Sequence, residues 1–177
     1  MNILHEKFAV VDLETTGLND GHNGKKADNI IEIGAVKIER GRITEKYSTF
    51  VACAEPIPKE ITELTGISSK ELQGAPTVKE AIKRFCDFSR DCTIVGHNIL
   101  FDYGFIRYYG KQYGLEFNND IIDTYLLSRE RLQGKVENYK LNTVAKHFGI
   151  SLNPHRALAD AEASAKIFLE LTTINGN

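Results

Sequence analysis

Residues 30–38 read Ile30-Ile31-Glu32-Ile33-Gly34-Ala35-Val36-Lys37-Ile38. Ile31, Ile33 and Ala35 fall on one alternating face, and Ile30, Val36 and Ile38 on the other. A strand that is apolar on both faces is covered on both sides. Arg40-Gly41 then supplies a two-residue hairpin turn, with Gly providing a positive φ, and Ile43 to Val51 returns antiparallel. Upstream, Phe8-Ala9-Val10-Val11-Asp12-Leu13 is short, rich in β-formers and bounded by a polar loop, Asn19 to Asn29, so it reads as another buried strand. Downstream the pattern turns helical. Pro58 to Thr65 is a short helix ended by Gly66. Thr77 to Arg90 opens on a capping box, Thr77 and Glu80, and carries Val78, Ala81, Ile82, Phe85 and Phe88 at helical spacing. Thr93 to Gly96 is a short strand, followed by a helix from about Ile99 to Tyr113, a strand at Ile121-Ile122, and a helix capped by Asp123 or Thr124 that runs to Leu132. Two last helices span about Leu141–Phe148 and Ala157–Thr172. Three antiparallel-leaning strands followed by alternating helices and strands predict an α/β fold, a mixed sheet with helices on both faces. The 177 residues suit one domain with a single core.

Composition narrows the function. No apolar run approaches the roughly 20 residues of a membrane span, and Met1 to Lys7 lacks the apolar stretch of a signal peptide; a cytoplasmic protein is expected. Three scattered cysteines, Cys53, Cys86 and Cys92, argue against a disulfide framework or a zinc ribbon. His5-Glu6 fails as a zinc-protease motif because position 9 is Ala, and Gly24-Lys25 fails as a phosphate loop because Asn19 and Lys26 break the pattern. The formal charge of −2 is unusual for a nucleic-acid binder. Two divalent cations would reverse its sign, and residues 129–156 hold Arg129, Arg131, Lys135, Lys140, Lys146 and Arg156 against Glu130 and Glu137. That stretch reads either as a solvated face or as a basic approach to a phosphate-handling site.

Several acidic residues stand where carboxylates are costly. Asp12 and Glu14, two apart at the end of the first strand, point the same way and repel one another. Asp102 shares a helical stripe with Phe105, Ile106 and Tyr109. Asp160 lies one turn into the last helix, beside Ala157, Ala161 and Ser164, small residues that permit close approach to a sheet; His155 stands just before that helix. Glu32 interrupts the doubly covered strand, either to meet a substrate end or to satisfy nearby backbone. Each feature alone is ordinary. Together, four inward carboxylates suit Mg²⁺ or Mn²⁺ rather than Zn²⁺, and a pair of such ions is a device for phosphodiester cleavage.

The stretches Val11-Asp12-Leu13-Glu14-Thr15-Thr16-Gly17-Leu18, Gly96-His97-Asn98-Ile99-Leu100-Phe101-Asp102 and His155-Arg156-Ala157-Leu158-Ala159-Asp160-Ala161 resemble, in order, the three motifs of the DnaQ-like 3′-5′ exonucleases, whose best-known member is the proofreading epsilon subunit of bacterial DNA polymerase III. The resemblance covers about residues 6 to 172, and a His five positions before the last Asp marks the histidine-type (DEDDh) subfamily. It implies a ribonuclease-H-like fold, two divalent cations held by Asp12, Glu14, Asp102 and Asp160, and His155 as the general base; an imidazole with its ordinary pKa of about 6.5 suits that task. It further implies that Thr15 meets the terminal 3′-hydroxyl, that Leu18 and Phe101 wedge against the last bases, that Asn98 positions the scissile phosphate, and that Thr65-Gly66-Ile67 lines the substrate. The implied partners are a nucleic-acid 3′ end, with single-stranded DNA favoured and RNA the alternative, and a DNA polymerase. Docking in the manner of the bacterial proofreading subunit is not expected, because the chain ends soon after the last family helix. A non-catalytic nucleic-acid or polymerase-binding module of the same fold is the remaining reading. The loop Asn19–Asn29 is longer than the family's usual one and bears on strand preference.

Overall fold

A computed structural model describes residues 6–22 and 24–174; the residues read for a signal peptide and His5 of the rejected zinc motif lie wholly or mostly outside them. The elements run β1 (Lys7–Thr15), β2 (Ile30–Glu39), β3 (Arg42–Phe50), α1 (Lys59–Thr65), α2 (Val78–Phe88), β4 (Thr93–Gly96), α3 (Leu100–Gln112), β5 (Ile121–Asp123), α4 (Thr124–Arg131), α5 (Leu141–His147) and α6 (Ala157–Thr173). This is the predicted series to within a residue or two at each end. Local chemistry accounts for the boundaries. The Thr77–Glu80 capping box closes reciprocally at the start of α2. Asp123, rather than Thr124, caps α4 by accepting from the Tyr125 N–H. At the β2–β3 turn both Arg40 (φ 53°) and Gly41 (φ 73°) are left-handed, which matches the twist of the paired strands.

The sheet order is β3-β2-β1-β4-β5. β1 pairs antiparallel with β2 and parallel with β4, and β4 pairs parallel with β5. Side-chain alternation splits the core between two faces. Ala9, Val11 and Leu13 of β1 join Ile82 and Phe85 of α2 and Phe105 and Ile106 of α3. Phe8 and Val10, on the other face, join Ala165 and Phe168 of α6. The Phe8 and Phe168 rings meet edge to face with centroids 4.9 Å apart. Helices on both faces of a mixed five-stranded sheet make this a ribonuclease-H-like fold.

One contact positions α6. Gly34 of β2 lies so close to the helix that a Cβ there would come within 2.1 Å of the Ala157 carbonyl carbon and the Leu158 nitrogen. The missing side chain brings the first turn of α6, which carries Asp160, down onto the middle of the sheet.

Candidate active site

β1 delivers Asp12 and Glu14, both partly exposed, at the end of the strand where α3 and α6 begin. A bulge between Glu14 and Thr15 shifts the register against β2, a device that re-aims side chains next to functional sites. Asp12, Glu14 and Asp160 each present a carboxylate oxygen within 4.8 Å of the others. Asp160 is 6% exposed. Its Oδ2 accepts the His155 N–H at 2.8 Å, while its Oδ1 is buried with no hydrogen-bond partner among the described residues. Asp102, 4% exposed, approaches from the first turn of α3. Its Oδ1 accepts the Leu13 N–H at 2.9 Å, tying α3 to β1 between the two acidic residues of that strand.

Crowded carboxylates in a poorly solvated place hold their protons. Burial, then the charges of Asp102, Asp160, Glu14 and Glu32, push the Asp12 carboxyl well above the usual range. Burial and the charges of Asp160 and Glu32 raise Glu14 to about 7, against the pull of Arg156. Burial raises Asp102 to about 8 despite the Leu13 hydrogen bond. Asp160 is raised by burial as well. A partnerless buried oxygen, three carboxylates within reach of one point and four raised proton affinities form a donor set that fits a hard divalent cation.

Glu32 resolves to the second of its two readings. It is 2% exposed. Its carboxylate accepts from Arg156 Nε at 3.2 Å, from Arg156 Nη2 at 3.0 Å and from the Ala157 N–H at 3.1 Å. It therefore caps α6 and pairs bidentately with an arginine. His155, between this pair and Asp160, has a left-handed backbone (φ 67°), an unfavourable state for a non-glycine residue that the two anchors hold in place.

The remaining candidates divide. Leu18, 86% exposed, stands free at the turn after β1. Phe101 is half-buried, its ring centroid 5.1 Å from that of Phe105. Asn98 is exposed and left-handed (φ 65°), and its N–H donates to Asp123 Oδ1 at 2.9 Å. The Thr15 hydroxyl donates to the Gly17 carbonyl at 2.6 Å. Thr65 and Ile67 are turned inward instead. The Thr65 hydroxyl donates to Ile61 O and accepts from the Ile67 N–H. Ile67, 1% exposed, packs with Ile31 and Leu72, so its side chain offers no surface to a substrate.

Sequence reading passed over three residues here. Arg156 was counted only within a basic stretch, and that stretch is less free than its count suggested: Arg156 is bound to Glu32, and Arg131 to Glu130 and the Ile174 carbonyl. Asp123, read only as a cap, also holds Asn98. His97 bridges the Thr124 hydroxyl and the Tyr139 carbonyl, pinning the segment before α5. Its place between Gly96 and Asn98 was the available signal.

An acidic nest at the end of β1, closed by the first turns of α3 and α6, thus sits in a ribonuclease-H-like fold. The comparisons with known proteins agree. A family model described as Exonuclease matches residues 9–168, and the chain belongs to that exonuclease family. It is 40% identical over 172 residues to the DNA polymerase III subunit epsilon of Aquifex aeolicus, across 96% of this chain and 82% of that one. It is 41% identical over 169 residues to the PolC-type DNA polymerase III of Caldanaerobacter subterraneus, of which it spans 12%. E. coli exonuclease I in complex with a dA16 oligonucleotide shares the fold, with a TM-score of 0.81 at 17% identity over 97% of this chain and 42% of that one.

Proposed function

We propose that this chain is a 3′-to-5′ exonuclease that releases nucleoside monophosphates from single-stranded or frayed DNA ends, in proofreading or repair. The observation that carries the reading is the convergence of Asp12, Glu14 and Asp160 within 4.8 Å, with one buried oxygen unpartnered, in a member of the exonuclease family. Asp12, Glu14, Asp102 and Asp160 would hold two divalent cations, Mg²⁺ or Mn²⁺. Bound there, the cations would polarise the phosphodiester, make water acidic and stabilise the leaving 3′ oxygen.

The chain's own residues do the rest. His155 takes the proton from the attacking water, and Asp160 fixes the His155 backbone through its N–H. The Thr15 backbone receives the terminal 3′-hydroxyl. Leu18 and Phe101 press on the last bases, contacts that any base accepts, so end structure matters more than sequence. The absence of a strand partner at the end is what lets Leu18 enter, which favours single strands and frayed duplexes. The relatives named DNA polymerase III support DNA over RNA and a polymerase as partner.

A time course on matched end-labelled single-stranded DNA, duplex DNA and RNA, with and without Mg²⁺, tests the proposal. Stepwise mononucleotide release from the 3′ end, fastest on single-stranded DNA and absent without metal, is expected. Internal fragments, or no metal-dependent release at all, would overturn it.

A further inference from the structure

The loop after β1 has a job that the acidic nest does not use. Its neck is closed by hydrogen bonds from the Thr16 N–H to the Asn29 carbonyl, from the Asp28 N–H to the Asn19 carbonyl and from the Asn19 N–H to Asp28 Oδ2. The body folds back onto the outer face of α3. Asp20 covers Gly104, where a Cβ would come within 2.1 Å of Asp20 Oδ2, and Gly21 lies against the Tyr108 ring. The Tyr109 hydroxyl donates to the Asp28 carbonyl at 2.9 Å and fastens the return limb. Between this loop, α3 and the segment after it runs an open cleft of about 810 Å³.

One helical stripe of α3 forms its floor: Leu100, Tyr103, Arg107, Tyr108 and Lys111. The opposite stripe of the same helix, with Asp102, Phe105, Ile106 and Tyr109, is buried. The cleft runs along α3 from Leu100, in the first turn, for about 16 Å at the helical rise, with Asp102 of the same turn on the other face of the helix. That length accommodates roughly four stacked nucleotides at about 3.4 Å each. Among the described residues neither Arg107 nor Lys111 forms an ion pair with a carboxylate, a state they share with other surface cations such as Lys79, Lys146 and Lys166. Arg107 instead sits 5.8 Å from the Tyr103 ring centroid. Of the acidic lining residues, Asp20 is engaged by His22, and Glu116 is exposed. Cations without a carboxylate partner, spaced along an open groove, are the makings of a single-strand track, where they take phosphates.

We infer that this cleft holds the portion of a single-stranded nucleic acid lying 5′ of the terminal nucleotide, with Arg107 and Lys111 on its phosphates. The inference rests on the exonuclease reading and adds a length-dependent binding subsite to it. Its test compares Arg107→Ala/Lys111→Ala with the unaltered chain on an octathymidylate, on a thymidine dinucleotide and on the 4-nitrophenyl ester of thymidine 5′-monophosphate, with Mg²⁺. Expected is a loss of about tenfold in kcat/KM on the octamer, with the two short substrates within about twofold, and a salt dependence shallower by roughly 1.4 in log–log slope for two lost single-strand phosphate contacts. Glu116→Lys should change octamer turnover in the opposite direction, which a damaged fold could not do. Anisotropy of a fluorescein-labelled octamer in EDTA reads the cleft even if no substrate is hydrolysed, which separates failure of this inference from failure of the exonuclease reading. Octamer affinity and turnover unchanged in the double variant, or short and long substrates losing equally, would overturn it.

Discussion

Two carboxylates meet the first turn of α6, and the molecule treats them in opposite ways. Glu32, 2% exposed, is saturated: the Arg156 guanidinium and the Ala157 N–H occupy both of its oxygens. Asp160, 6% exposed, has one oxygen occupied by the His155 N–H and one with no hydrogen-bond partner among the described residues. Burial is nearly equal, so burial alone does not mark a functional acid. What separates them is whether the protein supplies the counter-charge. Glu32 has its cation in the chain and serves architecture. Among the described residues Asp160 and its neighbours Asp12 and Glu14 form no ion pair, and crowded, poorly solvated carboxylates are expensive unless an ion from solution completes the set.

The largest effect that could break this contrast is on the unpartnered side. Asp12→Ala should abolish Mn²⁺ binding in calorimetry and lower hydrolysis by about 10³-fold or more, since the bound ions are worth several kcal/mol at roughly 1.4 kcal/mol per tenfold. Unchanged Mn²⁺ affinity would place the metal site elsewhere. His155→Ala should cost about 10²-fold or more in kcat while leaving Mn²⁺ affinity close to that of the unaltered chain; near-full turnover would remove His155 from the chemistry.

The next test reads stability in the absence of metal. Glu14 is raised from 4.5 to about 7 in the folded chain, so folding favours its protonated form. The associated stability is fully present below the unfolded pKa and is lost as pH rises through the folded value. In EDTA, Tm should therefore fall between about pH 4.5 and pH 7 from this group, with Asp102, raised to about 8, extending the decline upward. Saturating Mg²⁺ should flatten the curve. A Tm that rises over this window in EDTA would contradict the electrostatic picture.

The smallest effects sharpen the contrast through their signs. Near pH 8 and without metal, Asp160→Asn should stabilise the chain by about 0.5–2 kcal/mol, because it removes a like charge from a functional cluster. Glu32→Gln should destabilise it by about 1–3 kcal/mol, because Arg156 loses a charged, nearly buried partner. Urea denaturation of both variants decides the matter: shifts of the same sign would mean that the two acids are not the opposites described above.

Much of the fold was legible because its signals are local. Alternating apolar residues over Ile30 to Ile38 specify a doubly covered strand, and Thr77 with Glu80 specifies a helix start, whatever lies elsewhere in the chain. Asp102 was legible as an anomaly because Phe105, Ile106 and Tyr109 share its stripe and are buried with it. Glu32 was legible only as an open choice, since its partners Arg156 and Ala157 lie 124 and 125 residues away. The orientation of Ile67 was not legible for a related reason: a short motif gives a residue's neighbourhood in the chain but not which way its side chain turns, and here it turns toward Ile31 and Leu72.

The sequence by itself determined the strands, the helices, their caps and the acids out of keeping with their surroundings, because hydrogen bonding within an element and the spacing of apolar side chains depend on near neighbours. Tertiary structure alone decided which acid received a counter-charge, because pairing depends on distances across the fold. The gap at Gly34, which seats α6 on β2, brings Arg156 to Glu32 and leaves Asp160 facing Asp12 and Glu14.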